Sequence, residues 1–493
     1  MSATQQDIGR FFRHSAVYAF GNVLNRLGAF VLLPIYTNYL TVSQYGAIEL
    51  FYIIAAVVSG LLSIGIAHAT LRFYFEYRDE ADRHAVVSTN LLASLAISFA
   101  GVLPLAFANT AIGSYLFDDP AMGTGILLVL ASLILELSSQ VSLAYLRAKE
   151  HSTFFITISV GKLLVQVAAN IVLLVWFDAG VLGVLTGNLA AVAAGWLVLT
   201  VFTISRCGLR FHPAKLVPIL KYSFPFLLTT IVALVSTTID RFLINNYLSL
   251  HALGLYALAL KFSRLITDLI GEPFNLAYGS FRFTIMGQDN AAAIQARVVR
   301  YLFAAGCLAA LSLAYFTGDV LRVMSAPEFW KAAELVPLLA LAGTFKIISY
   351  PLQSGILYQK HTRHIFHIGM AVAVVGAVSA FVLILWVGVI GACVAVLAAA
   401  VLETVLTERF AQRYFKVDYE YPRLLRLLLI TLTFYLLSVP AVWLEVWQAF
   451  IVKLALLLLC VITLAKAGAV NSEEMSQVRR YILNRWRKRH NPV

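Results

Sequence analysis

The sequence predicts an all-α integral membrane protein. Its expected plan is fourteen transmembrane helices: two parallel-related six-helix lobes and two extra C-terminal helices, with both termini cytoplasmic. Three observations carry this. First, 60% of the 493 residues are hydrophobic and only 13% are charged, and mean hydropathy is +0.83. Soluble domains carry ~25% charge, and a soluble chain could not clothe its surface with so few charges. That excludes an ordinary soluble enzyme, a disordered chain and a nucleic-acid binder, despite the net charge of +12. Second, apolar windows of about the ~20 residues that cross a bilayer recur along the chain. Third, one stretch of sequence recurs at an offset of 208.

The windows are bounded by charges or by Gly and Pro. The first, 15–36, follows a polar start. It is too long for a signal-peptide core and is interrupted by Arg26, so it is read as a helix and not a cleaved leader. The next five are 47–69, 86–108, 122–146, 154–176 and 180–203; the last holds Gly183-x-x-x-Gly187, a close-packing signal. A second set of six follows at 223–247, 252–277, 300–318, 333–357, 365–386 and 389–411, and two more stand at 424–442 and 448–467. Pro34, Pro104, Pro225, Pro273 and Pro351 fall in or at the ends of these windows, and spans tolerate them.

The 37 Lys and Arg residues orient this layout. Seven lie more than two residues inside a helix window: Arg26, Lys162, Arg241, Lys261, Arg264, Lys346 and Lys453. Only Arg322 and Lys331 fall on the outer side, and the rest are cytoplasmic. The positive-inside rule then fits an even number of spans with both termini cytoplasmic.

The repeat aligns Arg13-His14-Ser15 with Lys221-Tyr222-Ser223 without gaps. Asn38-Tyr39-Leu40-Thr41-Val42 matches Asn246-Tyr247-Leu248-Ser249-Leu250, Gly46 matches Gly254, and a shift of two pairs Arg72-Phe73 with Arg282-Phe283. Six helices separate the copies, so both have the same orientation, as in transporters built from parallel repeats. The expected units are an N-lobe over 1–205, a C-lobe over 206–415, the added pair over 416–470 and a basic tail over 471–493.

Polar residues inside the windows form stripes at helical spacing. The first helix aligns Asn22, Asn25 and Arg26; the second Glu49, Tyr52, Ser59 and Ser63; the fifth Ser159, Lys162, Gln166 and Asn170. The seventh holds Thr229, Ser236, Thr237 and Asp240, the eighth Lys261, Arg264, Asp268, Glu272 and Asn275, and the tenth Lys346, Ser349 and Gln353. A charge at the bilayer centre costs ~2.5–3.5 kcal/mol on insertion scales. Two readings compete: a hydrated cationic cavity, or buried ion pairs that hold the bundle together. Arg264 with Asp268 at i,i+4 would suit the second. Arg26, Lys162 and Lys346 have no carboxylate within a turn, which suits an anion, and Arg fits phosphate bidentately.

Other features carry less. Cys207, Cys307, Cys393 and Cys460 have neither zinc nor disulfide spacing. Gly161-Lys162 is followed by leucine, so no phosphate-binding loop is present. The run from Lys360 to His364 with His367 has basic neighbours that oppose a metal cation, and no cofactor is expected. In the tail, Met475, Val478, Ile482 and Trp486 share a side ringed by arginines, which suits anionic lipid headgroups.

The run Leu32-Leu33-Pro34-Ile35-Tyr36-Thr37, then Leu40-Thr41, Tyr45-Gly46 and Arg72-Phe73-Tyr74-Phe75-Glu76, resembles the polysaccharide (Wzx-like) flippases of the multidrug/oligosaccharidyl-lipid/polysaccharide exporter superfamily. The resemblance spans essentially the whole chain. It implies translocation of undecaprenyl-diphosphate-linked oligosaccharide across the bacterial inner membrane, with no bond made or broken. It also implies that Arg26 and Arg264, in the first and eighth helices, hold the diphosphate, and that Arg72 and Arg282 sit near the cytoplasmic gate. The expected substrate-binding set is Arg26, Arg264, Lys261, Asn22, Asn25, Lys162 and Lys346. Candidate groups for ion or proton coupling are Asp240, Asp268, Glu49 and Glu272. Expected partners are the lipid-linked oligosaccharide, membrane lipids and polysaccharide polymerase or assembly proteins; nucleic acid is not expected, and the chain is expected to be a monomer. The alternatives are a multidrug or small-molecule exporter, whose cavity should be acidic or aromatic, and a membrane glycan polymerase or ligase. The latter typically needs a large outer loop, and the longest here, near 319–332, carries only Arg322 and Lys331 as basic groups. A purely structural partner of a synthesis complex is the remaining reading.

Overall fold

The structure, a computed structural model, describes residues 28, 30–63, 65–440 and 444–469. Asn22, Asn25, Arg26, most of the first window and the basic tail therefore lie outside the described residues. Among the described residues the later windows fall largely on helical backbone and there is no strand; residues 64, 441 and 442 of those windows lie outside the described residues.

The helices in chain order are α1 (Leu33–Tyr39), α2 (Val42–Leu62), α3 (Ile66–Glu76), α4 (Glu80–Phe107), α5 (Asn109–Phe117), α6 (Gly123–Ala148), α7 (Ser152–Ile171), α8 (Gly180–Cys207) and α9 (Pro213–Tyr247). Then come α10 (Leu250–Leu265), α11 (Glu272–Ile285), α12 (Ala291–Met324), α13 (Val336–Leu352), α14 (Ser354–Tyr358), α15 (Arg363–Val387), α16 (Val389–Gln412), α17 (Tyr421–Ser438) and α18 (Val446–Leu464). Among the described residues ten helices are long and apolar enough to cross a membrane, or eleven if the bent pair Pro327–Glu334 and Val336–Tyr358 is one span. The windows at 223–247 and 252–277 are also helical, the latter through a π-turn over Ile266–Gly271. Large apolar side chains such as Phe107, Trp176, Val323 and Trp386 are more than 70% exposed. That is the inside-out pattern of a lipid-facing surface, where backbone polar groups must be satisfied within helices.

The second window is broken where the sequence read it as continuous. Gly65 takes φ +68° between α2 and α3, a conformation nearly free for glycine and costly for other residues.

By compactness the chain falls into two units: Met1–Leu258 with Met324–Lys331 and Gly369–Ala395, and Ala259–Val323 with Ala332–Ile368 and Val396–Val493. In the first unit, α6 packs on α8, α7 on α8 and α4 on α6. One core joins Ile66, Tyr74, Val87, Leu91, Val141, Tyr145 and Cys207; another joins Leu146, Ile158 and Leu199. The expected close packing at Gly183 and Gly187 is present: a Cβ on Gly187 would fall on the Asn170 amide oxygen. Asn170 in turn donates to the Tyr36 hydroxyl at 2.6 Å.

The repeat is visible in this unit as reciprocal contacts. A Cβ on Gly46 would fall on the Leu250 carbonyl, and one on Gly254 would fall on the Val42 carbonyl. Gly254 and Leu250 are the copies of Gly46 and Val42, displaced by 208. Thr37 donates to the Met324 carbonyl at 3.2 Å, and Asn245 donates to the Leu116 carbonyl at 3.0 Å; both pairs again differ by 208. The caps correspond as well: the Thr41 hydroxyl accepts from the Gln44 amide at 3.2 Å, and the Ser249 hydroxyl from the Ala252 amide at 3.1 Å. When i meets j′ and i′ meets j, the two copies are related by a two-fold axis. That axis passes between α2 and α10, where only glycine lets the backbones touch.

In the second unit, Thr344 donates to the Gly306 carbonyl at 3.0 Å, joining α13 to α12. The C-terminal helices are tied to α12 by ion pairs: Arg300 with Glu420 at 2.9 Å and Lys453 with Asp319 at 2.8 Å. Tyr315 adds a hydrogen bond to the Phe434 carbonyl at 2.6 Å.

Candidate functional site

The charges that the sequence places in the membrane divide into two kinds. Arg241 and Lys453 are held in ion pairs. Arg241 on α9 bonds the Glu49 carboxylate on α2 and the Thr237 carbonyl, and its backbone N–H donates to Asp240 Oδ1 at 2.8 Å. Asp240 Oδ2 accepts from the Tyr256 hydroxyl on α10. The Arg241, Glu49 and Asp240 side chains are only 7%, 19% and 10% exposed. Two carboxylates thus share one buried guanidinium, whose Nε has no hydrogen-bond partner. The cluster ties α2, α9 and α10 at the two-fold junction. It breaks the repeat, because the positions equivalent to Asp240 and Arg241 are the buried Leu32 and Leu33.

The other kind, Lys162, Arg264 and Lys346, has no ion pair among the described residues. Lys162 on α7 is half-buried, its stem lying on α8 where a Cβ at Gly195 would come within 2.6 Å of it. Arg264 and Lys346 are exposed, on α10 and α13. Among the described residues no carboxylate pairs with any of these three. The pairing expected for Arg264 with Asp268 is not formed among the described residues; a π-turn begins at Ile266 and shifts the register that would stack i on i+4. Lys261 and Asp268 are half-buried in the same segment, and Glu272 is exposed at the start of α11.

Of the proposed gate residues, Arg72 lies with its guanidinium 4.3 Å from the Tyr222 ring centre and 4.0 Å from Glu76. Arg282 is half-buried, donates to the Gly279 carbonyl at 3.2 Å and lies 5.9 Å from the Tyr278 ring centre. Outside the spans, Lys149 bonds Glu80 at 2.8 Å, and that hydrogen bond raises the Lys149 pKa above the ordinary lysine value.

The first unit also holds an open cleft of about 460 Å³ lined by α2, α3, α4 and α6. Tyr52, Ser59 and Ser63 of the expected α2 stripe line it, and Ser94, Glu136 and Gln140 face them. Sequence reading missed Glu136. Its signal was a lone carboxylate in the middle of the fourth window, with Leu133, Leu137 and Gln140 on the same helical face. His68 on α3 completes the polar lining.

The profile of a family described as polysaccharide biosynthesis protein matches residues 37–302. No curated protein matches the sequence. Among solved structures the chain is similar to the lipid II flippase MurJ in an inward closed conformation, with TM-score 0.69 at 13% identity over 92% of this chain and 98% of that one. It is also similar to an inward-facing multidrug resistance MATE family transporter of the MOP superfamily, with TM-score 0.60 at 13% identity over 79% and 97%. A MATE structure in the straight conformation gives TM-score 0.56 at 14% identity over 82% and 95%. At these identities the likeness is one of fold.

Proposed function

Since the chain belongs to the polysaccharide biosynthesis protein family and has the fold of the MOP exporters, we propose that it flips undecaprenyl-diphosphate-linked oligosaccharide from the cytoplasmic to the outer leaflet of the bacterial inner membrane. The lobes are 1–205 and 206–415, with 416–470 added and 471–493 docking on lipid. They rock about the two-fold junction to expose the substrate to each side in turn. Nothing is bonded or cleaved, so the chain acts as a transporter and not an enzyme.

The observation that carries this reading is the set of intramembrane cations that have no carboxylate partner among the described residues: Lys162, Arg264 and Lys346. Such groups are costly in lipid unless an anion or water meets them. With Arg26 and Lys261 they would hold the diphosphate, and Asn22 and Asn25 would add hydrogen bonds. Arg72 and Arg282 would serve the cytoplasmic gate. Asp240, Asp268, Glu49 and Glu272 are the candidate groups for ion or proton coupling; one charge crossing 100 mV supplies ~2.3 kcal/mol to bias the cycle. A charge-assisted hydrogen bond contributes about 1.5–3 kcal/mol. Arg26→Ala and Arg264→Ala should therefore each lower translocation of lipid-linked saccharide about tenfold or more at equal expression. Full activity in both would overturn the proposal. The second reading, a multidrug exporter, draws support from the acidic cavity lining at Glu136; it requires resistance to cationic dyes on overexpression.

A further inference from the structure

The cavity of the first unit has a chemistry opposite to that of the unpaired cations. Glu136 lies 13 residues from the start of α6 at Gly123, about 20 Å along the helix at 1.5 Å per residue. This puts a carboxylate deep in the apolar span. Tyr52, Ser59 and Ser63 project from one face of α2 at i, i+7 and i+11, and Glu136 and Gln140 from one face of α6 at i and i+4. Ser94 on α4 supplies a further hydroxyl. Among the described residues none of these six side chains makes a hydrogen bond or ion pair within the protein. Among the described residues no Lys or Arg lines the space.

A dry cavity would leave each of these groups unsatisfied at about 1–3 kcal/mol, so the space is occupied by water or by a polar ligand. At about 460 Å³ it exceeds what one cation needs, since a water's share of liquid is ~30 Å³. It lies within the ~300–1,000 Å³ of small-ligand pockets. The Glu136 carboxylate opposes a diphosphate, with no cation among the described lining residues to offset it, and the polar lining opposes an acyl tail. Paired donors and acceptors on both walls, with one carboxylate to accept from two neighbouring hydroxyls, match a sugar ring.

We propose that the Glu136 cavity is a saccharide subsite for an uncharged or cationic sugar of the transported lipid, separate from the groups that hold its diphosphate. This rests on the flippase reading above and assigns the sugar and the phosphate to different surfaces.

The test uses the purified full-length chain and two probes: undecaprenyl diphosphate without sugar, and the undecaprenyl-diphosphate-linked saccharide extracted from the source strain. Glu136→Gln combined with Gln140→Ala should raise the Kd of the saccharide-bearing lipid at least tenfold and leave that of bare undecaprenyl diphosphate within twofold. Arg264→Ala should weaken both. Equal weakening of both lipids by the Glu136 variant, or no weakening, overturns the subsite. So does a variant that binds the saccharide normally and loses only the pH dependence of transport, which would make Glu136 a proton site. Failure of the wild-type chain to bind either lipid overturns the flippase reading, and the subsite with it.

Discussion

Replacing Arg241 with Met tests whether the α2–α9–α10 junction is held by charge. The substitution keeps the length of the apolar stem and removes the guanidinium. It leaves Glu49 and Asp240 facing each other with no cation, at 19% and 10% exposure. Breaking a buried pair by removing one partner costs about 3–5 kcal/mol, a change of roughly 10²–10⁴ in the folding equilibrium. Asp240 keeps the Tyr256 hydroxyl, so most of the loss should come from Glu49. The double variant Arg241→Met with Glu49→Gln should therefore recover most of the stability, because no uncompensated charge remains. Equilibrium unfolding in mixed micelles, run as a double-mutant cycle, reads the coupling directly. A single-variant loss below about 1 kcal/mol, or a double variant as unstable as the single, would refute the reasoning and mark the contact as one that solvent already screens.

Two other consequences follow from the packing. Gly46→Ala and Gly254→Ala each set a methyl on the facing carbonyl, and overpacking of this kind costs about 1–3 kcal/mol. Each should open the two-fold junction, read as faster thiol labelling of a cysteine placed at the buried Val42; unchanged labelling would deny the close crossing. Lys453→Met leaves Asp319, 18% exposed, without its cation and should loosen α18 from α12, seen as earlier proteolysis of the C-terminal pair. Adding Asp319→Asn should restore resistance, and proteolysis of the single variant at the wild-type rate would contradict the role of the pair.

Composition and window length were enough to read the membrane class and the helical course from residue 47 onward, because a span must be apolar along its whole length wherever it packs. The repeat was legible too, since Gly46 and Gly254 recur at the same offset and the Thr41 and Ser249 caps are sequence-local requirements met in both copies. Periodicity also placed Tyr52, Ser59 and Ser63 on one face of α2. What lay opposite that face was not legible. The partner of a polar side chain in a bundle is set by helix rotation and by which helices meet, and neither leaves a mark at a fixed spacing. Arg241 and Lys162 look alike in sequence, yet one is locked by Glu49, 192 residues away, and the other has no carboxylate partner among the described residues. Glu136 stands alone in its window in the sequence, and only the fold sets it in one cleft with hydroxyls of α2 and α4. The sequence alone determined that charges are rare in this membrane protein and where along the chain they fall. Only the tertiary structure decided which of them are already neutralised, because a buried charge takes its meaning from what lies within a few ångströms of it, and those neighbours come from helices distant in the chain.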